Sequence, residues 1–140
     1  MSGDTERQGH CLCGAVTITA ANSGHSVGAC HCAMCRRWCS GPLMAIDCGT
    51  DPVIGGEENL AIFDSSPWAE RGFCRKCGSS LFYRLKGTGQ YQVSAGVFDE
   101  VEDLVFEIQV FVDERPSFYR FANETREMTG AEIFAKYGPS

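Results

Sequence analysis

The stretch "ACHCAMCRRW" (Ala29–Trp38) carries Cys30, Cys32 and Cys35 within six consecutive positions. Residues two apart share one face of an extended chain, and residues three apart meet across a helical turn. A C-x-C-x-x-C run uses both geometries in succession, so its three sulfurs can wrap one face of a metal ion. Zinc in a closed structural site takes four such ligands; three protein ligands leave the last position to water or substrate. Whether a fourth side chain joins these three separates a structural staple from a reactive centre.

The neighbours offer few candidates. His31 alternates with Cys30 and Cys32, so in an extended segment it points away from them. Cys39 lies four residues after Cys35 and would share its face if a helix begins there; the other reading of Cys39 is a small buried thiol. Cys48 fits no ligand spacing and reads as a core or loop residue, while His10 and His25 sit in polar surroundings and read as surface residues. The fourth position is read as open, with closure by Cys39 as the alternative.

Two further pairs flank this run, "CLCG" (Cys11, Cys13) and "CRKCG" (Cys74, Cys77). In a C-x-x-C-G loop both sulfurs converge on one metal, backbone N–H groups point at them, and the glycine permits the tight turn. The C-x-C pair places both thiols on one face of an extended segment. Together they supply the four thiolates of a closed tetrahedral site. Such a site would pin the N-terminal strand to a loop about 60 residues later, a long closure that a small core supports poorly. Iron is the alternative metal for thiolate sets of this kind.

The rest of the composition bounds the setting. A chain of 140 residues, 44% hydrophobic and 21% charged, is expected to form one globular domain, 1–140. Its nine cysteines cannot all pair, and they cluster as ligands do rather than as a disulfide framework. The opening "MSGDTERQGH" is polar, without the apolar centre of a signal peptide, and no run is long enough for a membrane span. A cytoplasmic protein without a membrane partner is expected. The net charge of -6, with no basic run, disfavours a nucleic-acid partner.

Short alternating runs dominate the secondary-structure reading. Ala15–Thr19, Leu43–Ile46, Leu60–Phe63 and Ser80–Leu85 are candidate strands. Tyr91–Phe98 places Tyr91, Val93, Ala95 and Val97 on one face. Leu104–Val112 places Phe106, Ile108, Val110 and Val112 on one face, with Glu107 and Gln109 on the other. A helical turn is expected through "RRWC" after Cys35. The tail at 129–138 reads as a helix: Thr129 and Glu132 form a capping box, Ile133, Phe134 and Tyr137 an apolar stripe, and Gly138 and Pro139 a stop. The expected fold is mainly β, with short antiparallel sheets tied by zinc knuckles. An uncovered sheet edge in such a fold would suit a homodimer.

At "GHCLCGAVTI", "ACHCAMCRRWCSG" and "RGFCRKCGSSLFYR" the sequence resembles the glutathione-dependent formaldehyde-activating enzyme family, over roughly residues 9–120. That family also includes a centromere-associated protein. The resemblance implies a β-tent fold and two zinc ions per chain. It implies a structural ion on Cys11, Cys13, Cys74 and Cys77, and a catalytic one on Cys30, Cys32 and Cys35. The activity it implies joins glutathione to formaldehyde as S-hydroxymethylglutathione, which in reverse is a carbon–sulfur lyase reaction. Cys39 departs from the smaller or hydroxyl-bearing residue expected there.

The partners expected are thus a small thiol, glutathione or similar, and a small aldehyde. Glutathione carries two carboxylates, which calls for cationic side chains. Arg36 and Arg37 follow the open run, and Arg71 and Arg75 flank the second pair; Arg36, Arg37 and Arg71 are the candidate contacts to the thiol substrate, the other reading of each being a solvated surface arginine. Trp38, Trp68 and Phe73 read either as pocket lining or as core. The alternative function is a non-enzymatic, zinc-stabilised protein-binding module.

Overall fold

The computed structural model describes residues 5–137. The chain runs β1 (Thr5–His10), β2 (Thr17–Ser23), β3 (Ser26–Cys30), α1 (Ala33–Cys39), β4 (Leu43–Asp47), β5 (Val53–Gly55), β6 (Leu60–Phe63), β7 (Ala69–Cys74), β8 (Ser80–Leu85), β9 (Tyr91–Ser94), β10 (Val105–Val110), β11 (Arg126–Met128) and α2 (Gly130–Tyr137). The protein is mainly β, as the alternating runs predict. The starting residues Met1–Asp4, and the predicted helix stop at Gly138 and Pro139, lie outside the described residues.

Two sheets form. The smaller has the order β1-β2-β5 and the larger β11-β10-β3-β4-β9-β8-β7-β6. Neighbouring strands are antiparallel except that β10 runs parallel to both β3 and β11. The sheets meet through Val16, Ile18 and Ala20 on one side and Val27, Ile46, Phe82 and Val93 on the other, all buried in one cluster. Burying each larger side chain of this set contributes about 1.5–3 kcal/mol.

Close packing between β7 and β8 depends on Gly72. It lies opposite Phe82, and a Cβ there would come within 2.3 Å of the Phe82 ring. The absent side chain lets the ring lie across β7.

Two predicted strands come out differently. The run Tyr91–Phe98 leaves the sheet at Ser94, and Ala95–Val97 forms a single 3-10 turn that still buries Val97. In β10 the register against β3 shifts between Phe106 and Ile108. That bulge breaks the simple alternation, so Phe106 and Gln109 face the same way, opposite Val27 and Ala29. Gln109, assigned to the polar face, is 1% exposed. It accepts from or donates to His31, Thr125 and Arg115 at 2.8–3.0 Å, which satisfies the amide in the interior.

The two helices follow their local signals. Cys32 caps α1, and Ser40 ends it in the left-handed region at φ 67. Before α2, Thr129 Oγ1 accepts from the Glu132 N–H (3.2 Å) and Glu132 Oε1 accepts from the Thr129 N–H (2.7 Å), the predicted capping box. Phe134 on α2 then packs edge-on against Trp68 and Phe111.

Candidate metal centres

The first sulfur set is assembled across the chain. Cys11 and Cys13 lie in the turn after β1, where the Cys11 N–H bonds to Val16 O (3.0 Å) and Gly14 takes φ 83. Cys74 ends β7 and Cys77 lies in the turn to β8, which closes through Gly78 at φ 80. All four Sγ atoms lie within 4.8 Å of one another. Cys11 and Cys13 sulfurs are 3.7 Å apart, and Cys13 and Cys74 sulfurs 3.8 Å. A tetrahedron with metal–sulfur bonds of about 2.3 Å has edges of about 3.8 Å, so these two separations match a tetrahedral metal site.

Backbone N–H groups point at these sulfurs. Val16 donates to Cys11 Sγ (3.3 Å), and Lys76 and Cys77 donate to Cys74 Sγ (3.4 and 3.5 Å). Ser79 couples the two knuckles, because its Oγ accepts from the Leu12 N–H (3.0 Å) and lies 3.2 Å from Cys77 Sγ. That hydroxyl, foremost among several donors, lowers the Cys77 thiol to about 5. Donors of this kind stabilise thiolates, the form that binds metal.

The second set is local. Cys30 ends β3, Cys32 is the cap of α1, and Cys35 sits within its first turns. Their Sγ atoms also lie within 4.8 Å of one another. The extended-then-helical geometry read from the spacing is the geometry found. The Cys35 N–H donates to Cys32 Sγ (3.4 Å). Hydrogen bonds from Cys30 and then Cys35 bring Cys32 down to about 2, with the Arg71 cation acting in the same direction. Cys30 moves the opposite way, through the same bonds to Cys32 and Cys35.

No fourth side chain completes the second set among the described residues. Cys39 does share the neighbourhood of Cys35, as a helix there requires, but its sulfur is not one of the group; it is half-buried against Cys35, Leu43 and Ala45. His31 points away, as its alternation predicts. It is fully buried, with Nε2 against Gln109 Oε1 (2.8 Å) and Nδ1 against Tyr119 Oη (2.7 Å). Cys48 is a core residue at 0% exposure.

The three candidate arginines divide. Arg36 and Arg37, with Ala33, line a depression of about 230 Å³ on α1; the Arg36 Nε–H donates to His31 O (2.9 Å) and Arg37 is exposed. Arg71 does not line it. Its guanidinium is buried over the rings of Trp38 (5.1 Å) and Tyr83 (5.0 Å), with Nη1 3.6 Å from Cys35 Sγ. Trp38 therefore belongs to the surroundings of the second set, whereas Trp68 packs on α2.

Sequence reasoning missed Tyr83 and Ser94. Tyr83 packs against Cys35 and its neighbours, and burial pushes its phenol up to about 12 against the pull of Arg71. Gly28, Ala45 and Ser94 lie side by side across β3, β4 and β9. Strand alternation puts Cys30, two residues after Gly28, on that same face. The Ser94 hydroxyl is buried there without a partner among the described residues. Period two assigns residues to faces, and only the strand order reveals which face carries the sulfurs.

The sequence profile of the family described as glutathione-dependent formaldehyde-activating enzyme matches residues 6–114, a span containing both sulfur sets. The chain belongs to that family. A relative from Schizosaccharomyces pombe, described as an uncharacterized lyase, is 38% identical over 129 residues, covering 91% of this chain and 94% of the relative. A crystal structure of a Rhodobacter sphaeroides protein is similar at a TM-score of 0.57 and 28% identity, covering 68% of this chain and 90% of that one. The matched span carries two thiol sets, one of four sulfurs and one of three. No helix among the described residues is long and apolar enough to cross a membrane.

Proposed function

We propose that this chain is a zinc-dependent carbon–sulfur lyase working as a thiol–aldehyde adduct synthase, with glutathione or a similar thiol and formaldehyde as substrates. One observation carries the reading: Cys30, Cys32 and Cys35 converge without a fourth side chain among the described residues. In this reading Cys11, Cys13, Cys74 and Cys77 hold a structural zinc ion and the three-sulfur set holds a second. Zinc at the second set would supply Lewis acidity toward a thiol sulfur or a carbonyl oxygen.

The reaction is an addition. The thiol sulfur forms a bond to the aldehyde carbon, the carbonyl π pair moves to oxygen, and the thiol proton ends on that oxygen. Ionising a thiol of pKa near 8.5 at pH 7 costs about 2 kcal/mol, so assisted ionisation alone is worth roughly thirtyfold. Holding thiol and aldehyde together contributes more. Arg36 and Arg37 are suited to the substrate carboxylates, because they line one depression directly after the sulfur run. The Ser94 hydroxyl, which no described residue satisfies, offers a hydrogen bond on the face that carries Cys30. Cysteines grouped as metal ligands rather than as a disulfide framework are in keeping with a reducing, cytoplasmic setting.

The test is adduct formation from glutathione and formaldehyde by the zinc-replete protein, compared with Cys32→Ser. Formation above the spontaneous rate by the wild type, lost in the variant, supports the reading. A wild type no faster than the uncatalysed reaction contradicts it.

A further inference from the structure

Arg71 is a cation in the interior that pairs with no carboxylate among the described residues. It is 3% exposed, and the ion pairs among the described residues involve other cations. A guanidinium stays protonated in proteins, and a buried charge without compensation is strongly destabilising. The groups around it indicate what compensates it. The guanidinium carbon lies over two ring faces, Trp38 at 5.1 Å and Tyr83 at 5.0 Å. The group it aims at is Cys35 Sγ, 3.6 Å from Nη1.

The fold builds this arrangement from three elements. Arg71 on β7 stands opposite Tyr83 on β8. On α1, Trp38 follows Cys35 by three positions, so both lie on the face turned to the sheet. The cation is held by a stacked fork, a role in which lysine does not replace arginine.

Charge arithmetic then links the cation to the sulfurs. Three thiolates around a divalent ion carry a net charge of -1, and Cys35 at 2% exposure takes part of that charge into the interior. The four-sulfur set carries -2, but there Cys13 is exposed to solvent. Only the three-sulfur set has an arginine in contact among the described residues.

We infer that Arg71 is the built-in counter-cation of the three-sulfur centre: it neutralises that centre before substrate arrives and orients Cys35 through the Nη1–H to sulfur bond. This rests on the reading that Cys30, Cys32 and Cys35 hold zinc. A consequence is selectivity for an anionic sulfur. With Arg71 in place an incoming thiolate brings the centre to -1, and without it to -2. Arg71 is a positioning residue, since it acts through Cys35 and the local charge.

The experiment measures zinc per chain and its release to a competing chelator, using the full chain as wild type, Arg71→Met and Arg71→Lys. Arg71→Met is expected to lose about 10–100-fold in affinity at the three-sulfur centre alone, the usual effect of removing a hydrogen-bond partner from a metal ligand. Arg71→Lys keeps the charge without the fork and is expected to fall between. With cobalt in place of zinc, the sulfur-to-metal absorption of Arg71→Met is expected to shift. If Arg71→Met does not fold, Trp38→Leu, which removes one ring face, is expected to weaken the same centre by a smaller factor. Two ions held by the variant as tightly as by the wild type, with an unchanged cobalt spectrum, would overturn the inference and leave the zinc reading standing. One ion per wild-type chain, at the four-sulfur set, would overturn both.

Discussion

Cys13 Sγ lies 3.8 Å from Cys74 Sγ although 61 positions separate the two residues. That contact joins the β1–β2 turn to the end of β7 and so links the small sheet to the large one. The two sulfur sets therefore differ in mechanical role: one closes a long loop, and the other lies within six positions of a strand and a helix.

The difference predicts opposite responses to single substitutions. Cys74→Ser should lower stability severely, because structural zinc in small domains supplies on the order of 10 kcal/mol of folding free energy. Cys32→Ser should shift the unfolding midpoint little while abolishing adduct formation. Thermal unfolding of both variants, followed by circular dichroism with and without chelator, checks this; equal destabilisation would contradict it.

Gly72→Ala should destabilise by about 1–3 kcal/mol, the usual cost of overpacking a filled core. The added Cβ would meet three Phe82 ring atoms at 2.3–2.8 Å, and that ring, 1% exposed, is held by the core. Urea unfolding should show a lower midpoint with an unchanged slope. A variant as stable as the wild type would show that the ring has room to move.

Acid stability has an identifiable source away from the sulfurs. Arg7, 4% exposed, bonds through Nη1 to Asp103 Oδ1 (3.0 Å) and through Nη2 to Asp103 Oδ2. The Arg7 bonds, with His25 adding to them, hold the Asp103 carboxyl well below its ordinary value of 3.8. A depressed carboxylate contributes stability that is fully present above the unfolded value and is lost as pH falls through the folded one. Asp103→Asn should therefore be less stable than the wild type at pH 7, with the gap narrowing below about pH 4. Unfolding midpoints at pH 7, 5 and 3 measure this, and a gap that widens toward acid would contradict it.

How much of this was legible in the sequence depends on the range of the interaction. Spacing alone located both sulfur sets, the α1 turn and the Thr129–Glu132 capping box, because each is set by neighbours within a few residues. The strand faces were less legible. Alternation puts Gln109 outside, yet the bulge in β10 turns it inward, where His31 and Thr125 satisfy its amide. The chain after β10 covers that side too, with Tyr119 and Phe121 packed on His31. Arg71 was the least legible. In "RGFCRKCG" it reads as a substrate contact or a solvated arginine, and only the fold, with β8 bringing Tyr83 and α1 bringing Trp38 and Cys35 to its side chain, makes it a buried neighbour of the sulfurs.

The most direct test of the central claim is zinc-edge X-ray absorption, with anomalous scattering, on the zinc-replete full chain. The account predicts two ions: one coordinated by the sulfurs of Cys11, Cys13, Cys74 and Cys77, the other by those of Cys30, Cys32 and Cys35 plus one exchangeable ligand that glutathione displaces. A second ion closed by Cys39 or any other side chain of the protein, or no ion at that set, would contradict it.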